Sequence, residues 1–360
     1  MFRKEKDNKA AVNEFNQQMK PVSLWADAWK RLKKNKMALL SLWVVVIYAV
    51  IAIAAPLLPI HDYREQNLNH TNLPPSFKPA GEIALEKLER DRAIIKQKVD
   101  EGQDTLKPDL DRLDAEIATA KQNVNTPENK KVYIFGTDNL GRDLLAKTIY
   151  GGRISMLVGL VGTLTSVFIG IVIGAISGYV GGWLDNLLMR FVDIMYSLPY
   201  MIIVIILIAM FRKEGQSSIV MLFVGIALVS WLTIARVVRG QMISLKNSEF
   251  VEAARSMGAS TGRIIFRHLL PNTIGVIIVY TSLSLPSFIM NESFLSFLGM
   301  GVSAPLASWG SLVSEGANTM ELYPWQLLVP AIEMTIFLFC TNFLGDGLRD
   351  ALDPQSKNRT

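Results

Sequence analysis

The segment EAARSMGASTGRIIFRHLLP, residues 252–271, lies between two apolar runs that are each long enough to cross a membrane. Ser248 is placed to cap a helix, and Glu252 complements the positive end of that helix's dipole. Gly258 readily adopts the left-handed conformation that ends a helix, and Pro271 bounds a second helix. The segment therefore predicts a charged pair of short helices with a glycine turn between them.

The first of these helices carries a small apolar ridge, formed by Phe250, Ala254 and Met257 at helical spacing. A ridge of this kind fits a groove in a partner protein. The segment is also compatible with a loop that only joins two spans, or with a DNA-binding helix-turn-helix, because it is basic and has a glycine turn. The membrane spans that flank both ends disfavour DNA binding.

The composition is that of a membrane protein. Half of the residues are hydrophobic and 19% are charged, and the mean hydropathy of +0.27 is unusual for a soluble chain. Residues 37–58 carry no charge, and at about 1.5 Å per residue they can cross a hydrocarbon core of about 30 Å. The long polar flank before them favours a retained span over a signal peptide. Five further spans are predicted at residues 154–180, 186–211, 219–235, 273–297 and 326–344.

The basic residues predict the orientation of these six spans. Residues 1–36 carry ten Lys or Arg and four Asp or Glu, and the loop 236–272 carries six Lys or Arg and two Glu. The loop 298–325 has no Lys or Arg. Short loops rich in Lys and Arg stay in the cytosol. Both termini and the loop 236–272 are therefore expected in the cytosol, and residues 59–131 on the opposite side of the membrane.

Two helical features flank the first span. Trp25, Trp29 and Leu32 share one face of a basic helix, which predicts a helix that lies in the inner membrane interface. Residues 82–124 are highly charged and carry apolar residues at heptad-like spacing, which predicts an antiparallel helical hairpin outside the membrane. The hairpin is either a contact surface for an extracytoplasmic binding protein or an insertion that varies within a family and has no such role.

Several motifs resemble one family. The segment described above resembles the EAA loop of permease subunits in binding-protein-dependent ABC importers, although His268 replaces a preferred isoleucine. Further segments resemble the C-type subunit of the oligopeptide and dipeptide (peptide/nickel) permeases; they are FGTDNLGRD at 135–143, NESFLSFLG at 291–299, SWG at 308–310 and NFLGDGLRDALDP at 342–354. The candidate ATPase-coupling residues are Phe250, Glu252, Ala253, Ala254, Met257, Gly258, Leu270 and Pro271.

The resemblance implies an all-α membrane protein with six transmembrane helices, the type I ABC importer permease fold, and an extracytoplasmic helical hairpin insertion. The expected divisions are a cytosolic N-terminus at 1–36, a first span at 37–58, an outer segment at 59–131 with the hairpin at 82–124, a permease core at 132–345 with the EAA loop at 236–272, and a cytosolic C-terminus at 346–360. It also implies four kinds of protein partner or ligand: a homologous second permease, two ABC ATPase subunits, an extracytoplasmic solute-binding protein and a peptide substrate.

Three sequence features that would indicate ATP binding, a disulfide or a metal site are absent from the chain. It has no G-x-x-x-x-G-K-[ST] phosphate loop, so ATP and Mg²⁺ are expected on partner ATPase subunits and no cofactor on this chain. The single cysteine, Cys340, allows no internal disulfide, and the three histidines form no metal-ligand pair. We therefore expect neither an enzyme nor a metal site, and no nucleic-acid partner.

Polar residues inside the spans are candidates for the translocation pathway. A carboxylate at the centre of a membrane helix costs about 2.5 to 3.5 kcal/mol, so Glu333 should face the bundle interior, water or a partner. Asn291 and Glu292 near the outer end of the fifth span are further candidates, and a structural hydrogen bond is an equal alternative. Arg190 and Asp193 are expected to form a local ion pair. The small residues Gly162, Ser166, Gly170, Gly174 and Gly178 are expected to allow close helix packing.

The chain is therefore predicted to form half of the translocation pathway of an ATP-driven importer. Oligopeptides are the first-ranked substrate. A permease for nickel or another small solute is an alternative within the same class. A self-contained transporter in which Glu292 and Glu333 couple proton flow is a different class, and so is a membrane receptor that senses a ligand through the hairpin. No internal repeat of the kind common in secondary transporters is recognisable.

Overall fold

The computed structural model of the protein describes residues 24–211, 219–302 and 304–352. Apart from one isolated bridge between Thr137 and Asp143, these residues form helices, turns and bends. The α-helices, in chain order, are α1 Leu24–Lys34, α2 Lys36–Ala54, α3 Ala80–Asp100, α4 Lys107–Asn123, α5 Leu144–Val180, α6 Gly182–Ser197, α7 Tyr200–Phe211, α8 Ile219–Ser230, α9 Leu232–Leu245, α10 Glu249–Ser256, α11 Thr261–Ile264, α12 Leu270–Phe297, α13 Trp309–Ala317 and α14 Trp325–Leu352.

Within the residues that the structure describes, five helical segments are long and apolar enough to cross a membrane. They are Lys36–Leu57, Leu144–Val180, Ile219–Leu245, Thr261–Phe297 and Trp325–Leu352. These segments confirm an all-helical membrane protein, and several extend beyond the predicted bounds. For example, α5 begins at Leu144 because the Asp143 carboxylate caps it by accepting a hydrogen bond from the Leu145 amide at 2.9 Å.

The predicted span at 186–211 is not one straight helix. Helices α6 and α7 are bent by 85° relative to each other, so they make a sixth span only as a broken pair. The cause is Pro199, which disfavours helical geometry at the residue before it; Leu198 is extended, with φ −90° and ψ 136°. By contrast, Pro286 lies inside α12 without interrupting it.

Small residues of α5 allow close contact with α9, as the four-residue repeat predicts. A Cβ atom on Gly174 would lie 2.4 Å from the carbonyl oxygen of Ala235 and 2.9 Å from the Cβ of Val238. Gly170 and Gly178 meet Ile234 and Met242 in the same way, at 2.6 Å each. The stripe therefore holds two membrane helices at backbone contact distance.

The variant Gly174→Val is expected to separate α5 from α9 and to destabilise the protein by about 1–3 kcal/mol, because the added atoms have no space. Gly240→Val is the matched control, since no heavy atom lies within 4 Å of a Cβ at Gly240. Thermal unfolding of both variants in detergent measures the effect. Equal unfolding temperatures for the two variants would contradict the close contact.

Helix α1 packs against the start of α2 and the end of α14. Leu32 is buried and lies in one cluster with Ala28, Ala38 and Ala351, whereas Trp29 is 46% exposed. The prediction that Trp29 and Leu32 present one face to the membrane is therefore wrong for Leu32, because the end of α14 covers it. The position of α1 in the membrane interface stays a prediction, and residues 1–23 and 353–360 lie outside the described residues.

The predicted hairpin is present as α3 and α4. Gly102, with φ +98°, occupies the turn between them, and an ion pair joins Lys121 to Glu89 at 3.0 Å. A further ion pair joins Arg92 of α3 to Asp114 of α4. Exposed ion pairs thus bridge the two helices of the hairpin, and its base packs against Leu73 and Tyr133 in an apolar cluster.

The loop 135–143 clamps the outer segment to the bundle through a buried ion network. The Asp138 carboxylate accepts hydrogen bonds from Arg142 Nε at 2.7 Å and Lys147 Nζ at 2.8 Å, and Lys147 also pairs with Glu315 of α13 at 2.8 Å. Burial alone would raise the pKa of the Asp138 carboxyl, but Lys147 and Arg142 hold that pKa below its usual value. The loop therefore links α5 and α13 at the outer face.

Candidate coupling loop and buried carboxylates

The first helix of the EAA loop has the bounds that its sequence predicts. Helix α10 runs over Glu249–Ser256, and Gly258 follows it with φ +80°. The side chain of Ser248 does not cap a helix amide; its hydroxyl donates to the carbonyl oxygen of Leu245 at 2.6 Å. The start of the helix was thus predicted correctly, but the capping hydrogen bond was not.

The second helix is longer than predicted. It begins at Thr261, widens into a π-helical turn over Ile265–Leu269 and continues without a break into α12. Pro271 was expected to bound it and does not. Because proline lacks an amide hydrogen, it is tolerated at the first turn of an α-helix, and Pro271 occupies that position after the π turn.

The exposed surface of the EAA loop differs from the predicted ridge. Met257 is 80% and Phe250 is 40% exposed, but Ala254 is only 2% exposed. Phe266, which the sequence analysis did not single out, is 72% exposed. Ala254 therefore does not belong to a surface ridge, and the exposed apolar groups are Phe250, Met257 and Phe266.

The remaining candidate residues divide by exposure. Glu252, Ala253, Gly258 and Pro271 are exposed, whereas Leu270 is half-buried. A coupling role for these residues stays a prediction. The exposed ones are accessible on the surface of the bundle.

The buried side of the EAA loop is firmly attached to the bundle. Val251, Ala254 and Leu269 are buried in one apolar cluster that also contains Val238 and Met242 of α9. Well-packed side chains transmit displacement because interiors are dense and poorly compressible. The buried side of α10 therefore packs into the same apolar cluster as α9 and the helix that begins at Thr261.

Ion pairs join α9 to the bent pair of helices. Arg239 donates to the Asp185 carboxylate through Nε at 2.6 Å and Nη2 at 2.7 Å. Arg236 pairs with Asp193 at 2.5 Å. The predicted local pair between Arg190 and Asp193 is wrong, because Asp193 is bound instead by an arginine of the neighbouring helix.

Glu292 lies in a buried hydroxyl cluster. It is fully buried and accepts hydrogen bonds from Ser155 Oγ at 3.1 Å and Ser296 Oγ at 2.7 Å. The same Ser155 hydroxyl accepts from the amide of Trp309 at 3.1 Å, so the cluster ties α5, α12 and α13 together. In this conformation Glu292 contacts protein on all sides, and Asn291 beside it is half-buried.

Glu333 occupies a different place. It is half-buried and lines a cavity of about 260 Å³ between α2, α5 and α14, together with Tyr48 and Trp309. It therefore faces the inside of the bundle, as expected for a carboxyl in a membrane helix. Glu292 does not line this cavity, so the two carboxyls do not form one site here. A pathway role for Asn291, Glu292 and Glu333 stays a prediction.

No group of three or more His, Cys, Asp or Glu that could hold a metal ion occurs among the described residues.

Comparisons with known proteins complete these observations. Residues 170–358 match the family model described as "Binding-protein-dependent transport system inner membrane component", and residues 23–75 match "N-terminal TM domain of oligopeptide transport permease C". The chain is 40% identical to the "Oligopeptide transport system permease protein OppC" of Escherichia coli (strain K12), covering 98% of this chain and 99% of that protein.

Two further similarities extend this comparison. The chain is 37% identical to the "Dipeptide transport system permease protein DppC" of Bacillus subtilis (strain 168), covering 93% of this chain and 87% of that protein. A solved structure described as "Inward facing conformations of the MetNI methionine ABC transporter" aligns with 58% of this chain and 98% of its own, at 20% identity and a TM-score of 0.46.

Proposed function

The chain belongs to the family of binding-protein-dependent transport system inner membrane components, and from this premise we propose that it is the permease subunit of an ATP-driven oligopeptide importer. It is a multi-pass membrane protein with the helical type I importer permease fold. The observation that carries the proposal is its 40% identity, over nearly the full length of both chains, to an oligopeptide permease subunit.

The proposed assembly contains four other subunits or proteins. A homologous second permease forms the other half of the pathway, two ATPase subunits bind ATP and Mg²⁺, and an extracytoplasmic binding protein delivers the peptide. The absence of a phosphate loop from this sequence supports the assignment of ATP to separate subunits. Both termini lie in the cytosol, in keeping with the excess of Lys and Arg in residues 1–36.

The proposed mechanism is a shift between two conformations of the bundle. ATP must bind more tightly to one conformation than to the other, because a ligand with equal affinity for both shifts nothing. The ATPases act on the exposed side of α10 through Phe250 and Met257. The buried side of α10 then moves α9, which the Asp185–Arg239 pair joins to the bent helices.

Deletion of the gene in its own host tests the proposal. We expect the deletion strain to lose uptake of a radiolabelled tripeptide and to keep uptake of the free amino acids. A tagged copy of the chain should restore uptake, and purification in mild detergent should bring a second permease and two ATPases with it. Unchanged tripeptide uptake in the deletion strain, with the chain purifying alone, would contradict the proposed function.

A further inference from the structure

A cleft of about 650 Å³ opens at the outer end of the bundle, between the end of α2 and the outer part of α5. Its apolar wall includes Pro56 and Leu157, and Arg64 and Arg153 also line it. Both arginines are exposed. The cleft therefore combines an apolar surface with two permanent positive charges.

The cleft lies where the membrane's hydrocarbon region should end. Arg153 immediately precedes residues 154–180, which carry no charge, and Arg64 follows six residues after the charge-free run 37–58. Charged side chains rarely lie within the hydrocarbon core and favour the headgroup level. Both guanidinium groups are thus expected among the headgroups of the outer leaflet.

Arg153 continues an apolar stripe on the surface of α5. On the next three turns of the same face lie Leu157, Leu160 and Leu164, which are 44%, 48% and 58% exposed. Side chains three and four positions apart lie on one helix face. Arg153 therefore lies at the end of a column of exposed apolar side chains. A phospholipid has the same arrangement, with a charged headgroup at the end of its acyl chains.

The charges at the cleft are only partly compensated. Within the described residues no ion pair involves Arg153. Arg64 donates from Nε to the Tyr63 hydroxyl at 2.8 Å, and Asp62, the carboxylate that also lines the cleft, accepts from the backbone amide of Arg64 at 2.9 Å. His61 pairs with Asp143 instead. Two guanidinium groups thus face one carboxylate, which leaves the cleft cationic.

A rigid aromatic pair supports the two arginines. Tyr63 stacks on Tyr150 of α5 with ring centroids 4.3 Å apart and an interplanar angle of 26°. Tyrosine is enriched at the level of the lipid headgroups, where its ring is apolar and its hydroxyl is hydrated. The stacked pair fixes the outer segment, and with it Arg64, against the helix that carries Arg153.

We propose that this cleft binds the phosphodiester group of a phospholipid in the outer leaflet. Arg64 and Arg153 hold the phosphate, because planar guanidinium groups donate two parallel hydrogen bonds to phosphate oxygens. One acyl chain lies along the apolar wall and continues onto Leu157 and the column below it. The bound lipid would fill the gap between the first span and the rest of the bundle.

Photolabelling of the assembled transporter in vesicles tests this site. The vesicles contain phosphatidylethanolamine and phosphatidylglycerol, with a trace of phosphatidylglycerol that carries a diazirine in one acyl chain. Mass spectrometry of peptides should locate adducts at residues 55–58 and 154–157. Arg153→Gln should lower this labelling about fivefold, and the double variant with Arg64→Gln about 25-fold. Arg153→Lys keeps the charge but loses the second parallel hydrogen bond, so its labelling should fall between that of the wild type and that of Arg153→Gln.

Two controls separate phosphate recognition from other causes. Arg90→Gln, at an exposed position of the hairpin, should leave labelling unchanged, and each variant should keep the gel-filtration profile of the intact assembly. A diacylglycerol with the same diazirine chain lacks the phosphate and should label the cleft weakly and independently of the arginines. Equal labelling by diacylglycerol, unchanged labelling in the double variant, or arginine-dependent labelling by a photoreactive peptide would overturn the proposal.

Discussion

Replacement of Met257 by glutamate is expected to weaken the association of this permease with its ATPase subunits by about 30-fold, which corresponds to about 2 kcal/mol. Met257 is 80% exposed at the tip of the EAA loop, directly before the glycine turn. An apolar side chain that fills a partner's groove contributes to the binding free energy because its surface is removed from water. A carboxylate at the same point would be desolvated without a partner of opposite charge.

The expected loss is measured by titrating the purified ATPase subunits onto membranes that contain the wild-type or variant permease. Met257→Leu is the matched control, because it keeps the volume and the apolar character and should bind normally. Ala254→Glu would be a poor test, since Ala254 is buried and the variant would disrupt packing instead. Unchanged binding of the Met257→Glu variant would contradict the claim that Met257 belongs to the surface that binds the ATPase subunits.

Replacement of Asp138 by asparagine is expected to destabilise the outer face of the bundle by about 3 kcal/mol. The side chains of Asp138 and Lys147 are only 6% and 3% exposed, and Arg142 contacts the same carboxylate oxygen as Lys147. Loss of the carboxylate leaves two buried cations close together. Glu315, which is 52% exposed, compensates Lys147 only in part.

Thermal unfolding in detergent measures this change. The matched control is Glu86→Gln, which breaks the pair of Lys78 and Glu86 on the hairpin. Exposed pairs contribute little because water screens them, so this variant should unfold close to the wild-type temperature. If Asp138→Asn unfolded at the temperature of Glu86→Gln, the buried network would not hold the outer loop.

The same carboxyl predicts a dependence of stability on pH. Its pKa is lower in the folded protein than in the unfolded chain, where it is about 3.9. The stabilisation is therefore complete above the unfolded pKa and is lost as the pH falls through the folded pKa. The difference in unfolding temperature between wild type and Asp138→Asn should be constant above about pH 5 and shrink below about pH 4. If the difference in unfolding temperature stayed the same at lower pH, the ionised Asp138 carboxylate would not be the source of the stabilisation.

Features with local signals were predictable from the sequence. The bounds of α10 follow from its acidic first turn and from Gly258, because each acts on the residues next to it. The hairpin and the close packing of α5 follow from periodic apolar and small residues in the same way.

Features that depend on distant residues were not predictable. Asp193 lies three residues from Arg190, but it pairs with Arg236 of another helix. Ala254 fits the apolar period of α10, yet it is buried in a cluster with residues of α9 and of the helix that follows, and periodicity alone does not say which side of a helix is covered. Lys147 and Glu315 are far apart in sequence and meet only in the folded bundle.

The broken span shows a third limit. Residues 186–211 read as one apolar run with a single proline, and hydropathy registers only that they are apolar. Pro199 lies at the break, but Pro286 has the same local signal and does not interrupt its helix. Whether a proline bends a membrane helix depends on what neighbouring helices provide for the freed carbonyl groups.

Uptake of a labelled tripeptide into proteoliposomes tests the central claim most directly. The vesicles contain either this chain alone or the full assembly with its second permease, ATPases and binding protein. We predict accumulation only with the full assembly and ATP, and its loss in the Met257→Glu variant. Accumulation by this chain alone, driven by a proton gradient without ATP, would contradict the account and identify a self-contained transporter.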